Sequence, residues 1–196
     1  MQVGDSISEH LYDYVWQTAS ALSTPRSPIS VCKSATVGGS MGNTYTNRME
    51  QLIPIVKPSV VVYSAWAVNT ASLALAQNNI DNMRKNTARA RQLCAQYNAK
   101  LILGTGSPVN QSYYNWGAAK DALRLGFVDE IKSICSSDPG LRVMDTTIAW
   151  SGDLSESGQI EFSAAAASSD GLHPGTAGHT AQVPLFTSVL SSIGVK

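Results

Sequence analysis

The chain has 196 residues, the length of one ordinary domain, and a fold of that size buries roughly 70% of the surface that its unfolded form exposes. Hydrophobic residues make up 43% and charged residues 14% of the chain, and no apolar run approaches the roughly 20 residues that a membrane span needs. Fourteen basic residues balance fourteen acidic ones, so no charged field gathers nucleic acid or anionic lipid. These features favour a soluble globular domain with a small or neutral ligand, and they argue against a nucleic-acid or membrane partner.

Short apolar runs rich in β-branched residues alternate with longer helical patterns along residues 1–196. This alternation is typical of a single domain with a parallel α/β sheet covered by helices on both faces. In chain order we predict strands at 1–3, 29–37, 59–66, 100–106 and 141–147. Between and after them we predict helices at 8–22, 44–56, 70–97, 115–136 and a last one after Pro174.

Spacing predicts further details of these elements. In the helix at 70–97, Ala90, Cys94 and Tyr97 recur in steps of four and three, which predicts one face packed on the sheet. Pro184 interrupts the last helical pattern, and we expect a kink or a restart there. The segment 150–169, rich in Ser, Gly and Ala, is predicted to be a long irregular loop.

Cysteine usage and the N-terminus give no sign of a metal site or a leader segment. Cys32, Cys94 and Cys135 lie far apart, with no C-x-x-C pattern and no neighbouring histidine at metal-ligand spacing, so we expect three buried free thiols. The N-terminus lacks the basic and then apolar segments of a signal peptide. A first strand that ends before Gly4 is short, which is expected of a domain cut from a larger protein. The sequence leaves the oligomeric state and the compartment open, with extracellular and virion-associated locations among the options.

The turn before the last helix contains a candidate general base. In an open parallel sheet, ligands bind at the carboxyl ends of the strands, so the turns beyond the strands are the places to search. His173 offers an imidazole there, the usual general base near neutral pH. Asp170 precedes it closely and can accept the ring N–H, which fixes the tautomer and stabilises the imidazolium. The competing interpretation is an Asx turn that caps the last helix, whereas His10 and His179 are predicted to be ordinary helix-face histidines.

Two serines compete for the role of nucleophile. Ser6 follows a Gly-Asp pair at the end of the first strand, where a helix N-terminus favours a developing alkoxide. Its other interpretation is a helix N-cap, with a capping box completed by Glu9. Ser40 lies in a Gly-x-Ser-x-Gly segment, which matches the nucleophile elbow of α/β-hydrolases in a strand-turn-helix context. On the residues alone, both serines remain candidates.

Acyl transfer also needs hydrogen-bond donors aimed at the oxyanion of the tetrahedral intermediate. The backbone N–H groups of Ser6 and Gly42 and the side-chain amide of Asn69 are candidates, since each follows a predicted strand. Asn69 alone is more often a helix N-cap. Four turns with matching chemistry favour one site more strongly than any single turn does.

Glycine-rich and polar turns recur in an order that spans nearly the whole chain, namely Gly4-Asp5-Ser6, Gly39-x-x-Gly42, Asn69 and Asp170-x-x-His173-Pro174. This order resembles the SGNH, or GDSL-type, hydrolase superfamily. The resemblance implies a three-layer α/β/α sandwich with a flavodoxin-like five-stranded parallel sheet, and an esterase or deacetylase activity that needs no metal or other cofactor. The roles that it implies are nucleophile for Ser6, base for His173, orienting acid for Asp170, and oxyanion hole for Ser6, Gly42 and Asn69.

The chain departs from the superfamily pattern at the third block. Residues 67–70 read Ala-Val-Asn-Thr where a Gly-x-Asn-Asp type of segment is common. The departure changes the local turn more than the chemistry, because the donor Asn69 is retained. The leading hypothesis is therefore hydrolysis of a carboxylic ester through an acyl-enzyme at Ser6.

A hypothesis about the substrate depends on aromatic residues near or beyond the carboxyl ends of the predicted strands, Trp66, Tyr113, Tyr114, Trp116 and Trp150. Flat amphipathic rings can stack against sugar, which favours O-acetyl groups on a carbohydrate as the substrate. The competing interpretation is that these rings pack in the core.

Two other functions are left open by the residues. An α/β-hydrolase would use Ser40 with His173 and Asp145, but it leaves Ser6 and Asn69 unexplained. A non-catalytic module would instead hold a phosphate, since residues 40–44 resemble the FMN loop of flavodoxins. That loop is expected after the first strand of a flavodoxin, whereas residues 40–44 follow the second predicted strand.

Overall fold

The computed structural model describes residues 1–4, 13–35, 43–64, 76–110, 116–154, 160–163, 166 and 171–195. Its central sheet consists of β1 (Gln2–Gly4), β2 (Lys33–Ala35), β3 (Val60–Ser64), β4 (Lys100–Gly104) and β5 (Leu141–Met144). The strand order is β2-β1-β3-β4-β5, and every neighbouring pair is parallel. The predicted five-stranded parallel sheet is confirmed.

The strands form where apolar and β-branched runs can be buried on both faces. β3 pairs with β4 along its whole length, with Val62 opposite Ile102, and every residue after the first in each strand is buried. β1 is central although it is short, and the Met1 ammonium donates a hydrogen bond to the carbonyl oxygen of Val60 at 2.7 Å. Because β1 lies between β2 and β3, the order of the strands reverses there, at the switch point where such sheets bind ligands.

Helices cover both faces of the sheet. The described ones are α1 (Tyr14–Leu22), α2 (Asn43–Val56), α3 (Ala76–Gln96), α4 (Ala118–Ser137), α5 (Thr146–Trp150) and α6 (Thr176–Ser192). Side chains of α2, α3 and α4 pack with Val61 and Tyr63 in a first core. Side chains of α1, α5 and α6 pack with Val62 and Ile102 in a second core on the other face. This confirms the predicted three-layer arrangement.

None of the described helices is long and apolar enough to cross a bilayer.

The structure corrects the predicted bounds of the fifth strand and of the loop after it. The strand predicted at 141–147 ends at Met144, and α5 begins at Thr146. The β-branched threonines favour a strand by propensity, but the Thr146 hydroxyl donates to the carbonyl oxygen of Gly106 at 2.8 Å, and this tertiary contact outweighs the propensity. The segment predicted to be irregular contains an antiparallel pair, β6 (Ser151–Leu154) and β7 (Ile160–Phe162), which its Ser and Gly content conceals.

The helix predictions have different outcomes. The sheet-facing side of α3 is confirmed, since Met83 and Ala90 have no exposed surface. The last helix does not restart at Pro184, because α6 continues through it. Phe186 and Leu190, beyond the proline, pack in the second core, and this burial outweighs one missing backbone hydrogen bond.

The three cysteines are free, as predicted, but only Cys94 is fully buried, and Cys32 and Cys135 are partly exposed. Burial raises the pKa of the Cys94 thiol to about 12, against a smaller opposing effect of the Arg91 charge. Burial, with the Asp138 carboxylate adding to it, raises the pKa of Cys135 to about 11. Both thiols are therefore poor nucleophiles near neutral pH.

Alkylation of the native protein by iodoacetamide at pH 8 is expected to spare Cys94 and Cys135. Their thiolate fractions at that pH are on the order of 0.01% and 0.1%, and only the thiolate reacts. Peptide mapping by mass spectrometry measures the result, with the protein in guanidinium chloride as the control in which all three thiols react. Rapid alkylation of Cys94 in the native protein would contradict its burial.

Candidate active site

Three of the predicted site residues come in the chain after β1, β2 and β3, whose carboxyl ends meet at one edge of the sheet. Ser6 follows β1, Gly42 directly precedes α2, Asn69 follows β3, and Asp170 precedes Gly171. All four, and the competing Ser40, lie outside the described residues, so their roles remain predictions. His173 is the predicted catalytic residue that the structure describes.

His173 lies in a turn that leads into α6, and its side chain is partly buried, so one part of it stays accessible. Gly171 has φ +75°, a left-handed backbone conformation that glycine adopts without strain. The next residue, Leu172, is buried in the first core. The N-cap position of α6 belongs to Gly175, so it is not Asp170 that occupies the capping position of the last helix. The turn therefore has a rigid apolar anchor directly before the imidazole.

The loop after β4, residues 105–110, holds this turn at the carboxyl edge of the sheet. The Asn110 N–H donates to the carbonyl oxygen of Gly171 at 2.8 Å. The Ser107 hydroxyl lies 3.5 Å from the carbonyl oxygen of Leu172, at the limit of a hydrogen bond. Since β4 is next to β3, and β3 next to β1, the His173 turn lies at the edge of the sheet where the carboxyl ends of β1 and β3 also lie.

Three buried threonine hydroxyls, those of Thr105, Thr146 and Thr147, fix the first part of this loop and are called the threonine cluster. The Thr105 hydroxyl lies 3.3 Å from the Thr147 hydroxyl and accepts the Thr147 N–H at 3.2 Å. The Thr146 hydroxyl accepts the Gly106 N–H at 3.0 Å, and Gly106 has φ +97°. Buried networks in which polar groups find partners rigidify a structure. The threonine cluster therefore connects the carboxyl end of β4 to α5.

Asp145, the acid of the α/β-hydrolase alternative, has structural partners. One carboxylate oxygen lies 2.7 Å from the Lys132 ammonium. The other accepts a hydrogen bond from the Thr105 hydroxyl at 3.1 Å. These contacts favour a role for Asp145 in holding the end of β5 against β4 and α4.

Two of the aromatic residues considered for sugar stacking, Trp116 and Trp150, pack in the interior. Trp116 is 3% and Trp150 1% exposed, and the indole N–H of Trp150 donates to the carbonyl oxygen of Gly178 at 2.7 Å. For these two residues the core interpretation is right, and neither ring face is free to stack on a sugar. Trp66, Tyr113 and Tyr114 lie outside the described residues.

Of the other two histidines, His179 lies within the described residues. His179 is buried on α6, where its ring stacks with Tyr14 at a centroid distance of 6.3 Å and meets Trp150 edge-on at 5.7 Å. It therefore lies on a helix face, as predicted, and that face packs in the interior. His10 lies outside the described residues.

Sequence reasoning missed a buried ion pair on α4. Asp121 and Arg124 are 2% and 0% exposed, and the guanidinium donates to the carboxylate at 2.7 Å. The signal was their spacing, because Asp121, Arg124, Val128 and Ile131 recur in steps of three and four on the face that packs inward. Charges on such a face must be paired when the helix is buried.

One other feature of the described structure lies apart from this edge. An apolar cavity of about 410 Å³ opens at the amino end of the sheet, lined by Met1, Val31, Val60 and residues around them. Residues 40–44 come in the chain after β2, which is an edge strand. An FMN loop is expected after the strand at the switch point, here β1, so the strand order disfavours an FMN site. Among the described residues, no group of His, Cys, Asp and Glu has the arrangement of a metal site.

The sheet order and its two helical layers are those of the SGNH hydrolase fold. Solved structures of this fold include a GDSL-like lipase from Bacteroides thetaiotaomicron (15% identity, 98% of this chain and 87% of that one, TM-score 0.72). They also include a catalytic mutant of an acetylxylan esterase from Geobacillus stearothermophilus (20% identity, 100% and 93%, TM-score 0.67). A third is an α/β hydrolase enzyme from the metagenome of Lake Arreo, Spain (16% identity, 98% and 94%, TM-score 0.72).

At these identities the likeness is one of fold. No family model and no curated protein matches the chain.

Proposed function

We propose that this protein is a serine esterase that hydrolyses carboxylic esters through an acyl-enzyme, and that its substrates are O-acetyl groups on carbohydrate. The observation that carries the proposal is the position of His173. Its side chain is partly accessible, and the β4 loop holds its turn at the edge of the sheet where the carboxyl ends of β1 and β3 lie. A histidine at this place suits a general base for Ser6.

In the proposed reaction, the Ser6 hydroxyl attacks the ester carbonyl carbon and gives its proton to the His173 imidazole. The backbone N–H groups of Ser6 and Gly42 and the Asn69 amide stabilise the negative oxygen of the tetrahedral intermediate. The alcohol leaves with the proton of the imidazolium, and the acyl group stays on Ser6. A water molecule then attacks the acyl-enzyme by the same route, which releases the acid and restores both residues. Asp170 accepts the other ring N–H and orients the imidazole.

Solved structures of similar fold support the choice of an acetyl ester as the substrate. One protein of the same fold is an acetylxylan esterase and another is a GDSL-like lipase, so acetyl and longer acyl groups are the two substrate classes to separate. The buried positions of Trp116 and Trp150 remove two of the aromatic residues that favour a sugar surface. The carbohydrate part of the proposal therefore depends on the likeness and on the aromatic residues outside the described ranges.

The protein is expected to release acetate from acetylated xylo-oligosaccharides with a kcat/KM at least about 10-fold higher than for p-nitrophenyl palmitate, because a pocket built for an acetyl group excludes further methylenes. An acetate assay and a p-nitrophenol assay measure the two rates, with deacetylated oligosaccharide as the blank. A clear preference for the palmitate ester would contradict the substrate class. A failure to hydrolyse any ester, p-nitrophenyl acetate included, would contradict the esterase itself.

A further inference from the structure

A buried ion pair on α4 lies against the loop that supports His173. The Nε of Arg124 donates to Oδ1 of Asp121 at 2.7 Å, and the two side chains are 0% and 3% exposed. Taking two charges out of water is costly, and a pair of apolar residues often serves a core equally well. A buried ion pair whose charged groups bind a further partner has a role beyond packing in the core.

That partner is the β4 loop. Nη1 of Arg124 donates to the carbonyl oxygen of Ser107 at 3.4 Å, and Ser107 is fully buried. On the other side, the Trp116 indole N–H approaches the same Asp121 oxygen at 3.4 Å, which helps to hold the carboxylate. A buried carbonyl group needs a hydrogen-bond donor, and a charged donor gives the stronger bond. Arg124 thus connects α4 to the middle of the loop.

The loop transmits this constraint to the turn of the candidate base. Beyond the Arg124 contact, the Asn110 N–H holds the Gly171 carbonyl at 2.8 Å, and the Ser107 hydroxyl lies 3.5 Å from the Leu172 carbonyl. His173 is the next residue along the chain. The threonine cluster contacts the first part of the loop, at residues 105–106, whereas Arg124 contacts the part that carries the turn.

We propose that Arg124 is a positioning residue for His173. Its guanidinium, oriented by Asp121, holds the Ser107 carbonyl and so fixes the loop on which the 171–173 turn is seated. The proposal rests on the proposed function in one respect, the role of His173 as the base of the esterase. Arg124 does not take part in the chemistry, and its effect is on the placement of the imidazole.

Two variants of the full chain separate positioning from folding. Arg124→Lys keeps a cation beside Asp121, but one ammonium cannot form the planar fork that holds both Asp121 and Ser107. The double variant Asp121→Asn with Arg124→Gln removes both charges, so no unpaired charge is left in the interior. Ile131→Ala, on the same helix and fully buried in the first core, is the matched control, because it removes apolar packing and no polar contact to the loop.

For p-nitrophenyl acetate we expect both test variants to lower kcat by about 10-fold to 100-fold and to leave KM within about 2-fold, since misplacement of a catalytic group costs rate more than binding. Arg124→Lys is expected to lose less than the double variant. Ile131→Ala is expected to lower Tm while kcat, measured well below its Tm, stays at the wild-type value. Wild-type kcat in both test variants would overturn the proposal, as would an equal loss of kcat in Ile131→Ala.

A second readout does not depend on activity. The Cε1–Hε1 resonance of His173, assigned by its loss in His173→Gln, is expected to shift or broaden in both test variants, while that of His179 stays in place. An unchanged His173 resonance and titration in the folded variants would overturn the proposal even if the wild-type protein hydrolysed no ester. Absence of esterase activity together with a shifted resonance would instead contradict the proposed function alone.

Discussion

Replacement of Ser6 by alanine is expected to lower kcat for ester hydrolysis by on the order of 10⁴-fold to 10⁶-fold, since removal of a serine nucleophile leaves only the contribution of the oxyanion hole and of binding. The change removes a single oxygen atom, so the far-ultraviolet circular dichroism spectrum and Tm should stay close to the wild-type values. The rate of acetate release from p-nitrophenyl acetate, together with covalent labelling by a fluorophosphonate and peptide mapping, measures the effect.

The matched control is Ser40→Ala, which changes the other serine that the sequence makes a candidate. It is expected to keep its activity within a few-fold of wild type, with the fluorophosphonate on the Ser6 peptide. A label on Ser40, with activity retained in Ser6→Ala, would replace the SGNH mechanism with that of an α/β-hydrolase. A folded protein that takes no label at all would point to a binding module.

The second large effect is expected at His173. His173→Gln should lower kcat/KM for the same ester by on the order of 10⁴-fold or more, because Ser6 then lacks its proton acceptor. In the wild-type protein, activity should fall on acidification, since a protonated imidazole cannot accept the serine proton. The slow residual reaction of His173→Gln should no longer decrease at acid pH. A pH profile of kcat/KM for both proteins measures this difference.

His179→Gln is the contrasting substitution, because His179 is fully buried between the rings of Tyr14 and Trp150. We expect it to lower Tm and to leave the pH profile of the folded protein unchanged. A wild-type profile without a fall at acid pH, or a fall that disappears in His179→Gln and stays in His173→Gln, would contradict the assignment of the base.

The parts of the fold that depend on local pattern could be predicted from the sequence. β3 and β4 are short, mainly apolar runs, and the buried residues of α3 recur in steps of three and four. Both patterns can be recognised from short stretches of the sequence. The end of β5 could not be predicted, because the helical start at Thr146 depends on hydroxyl contacts to Gly106, which is remote in sequence. The continuation of α6 through Pro184 likewise depends on burial in the second core.

The candidate site divides in a similar way. His173 is visible in the sequence because glycine and proline punctuate its turn, and its anchor at Leu172 agrees with that interpretation. The groups that hold the turn are less visible, since the contact from Arg124 to Ser107 joins a helix to a loop. For Trp116, the sequence suggests an accessible ring and the structure shows a buried one. An aromatic residue beyond a strand looks available for sugar, yet its indole lies buried beside Asp121.

Polar contacts at one end of β4 help to keep β3 and β4 aligned. In a sheet with one wet face, a shift by one residue would expose apolar side chains, and that penalty keeps strands aligned. Here Val62 and Tyr63 both meet apolar cores, so a shift would exchange one buried side chain for another at a smaller cost. The partners that a shifted β4 would lose are polar and lie at its carboxyl end, where the Thr105 hydroxyl meets α5. The edge proposed to bind substrate therefore also helps to keep β4 in register.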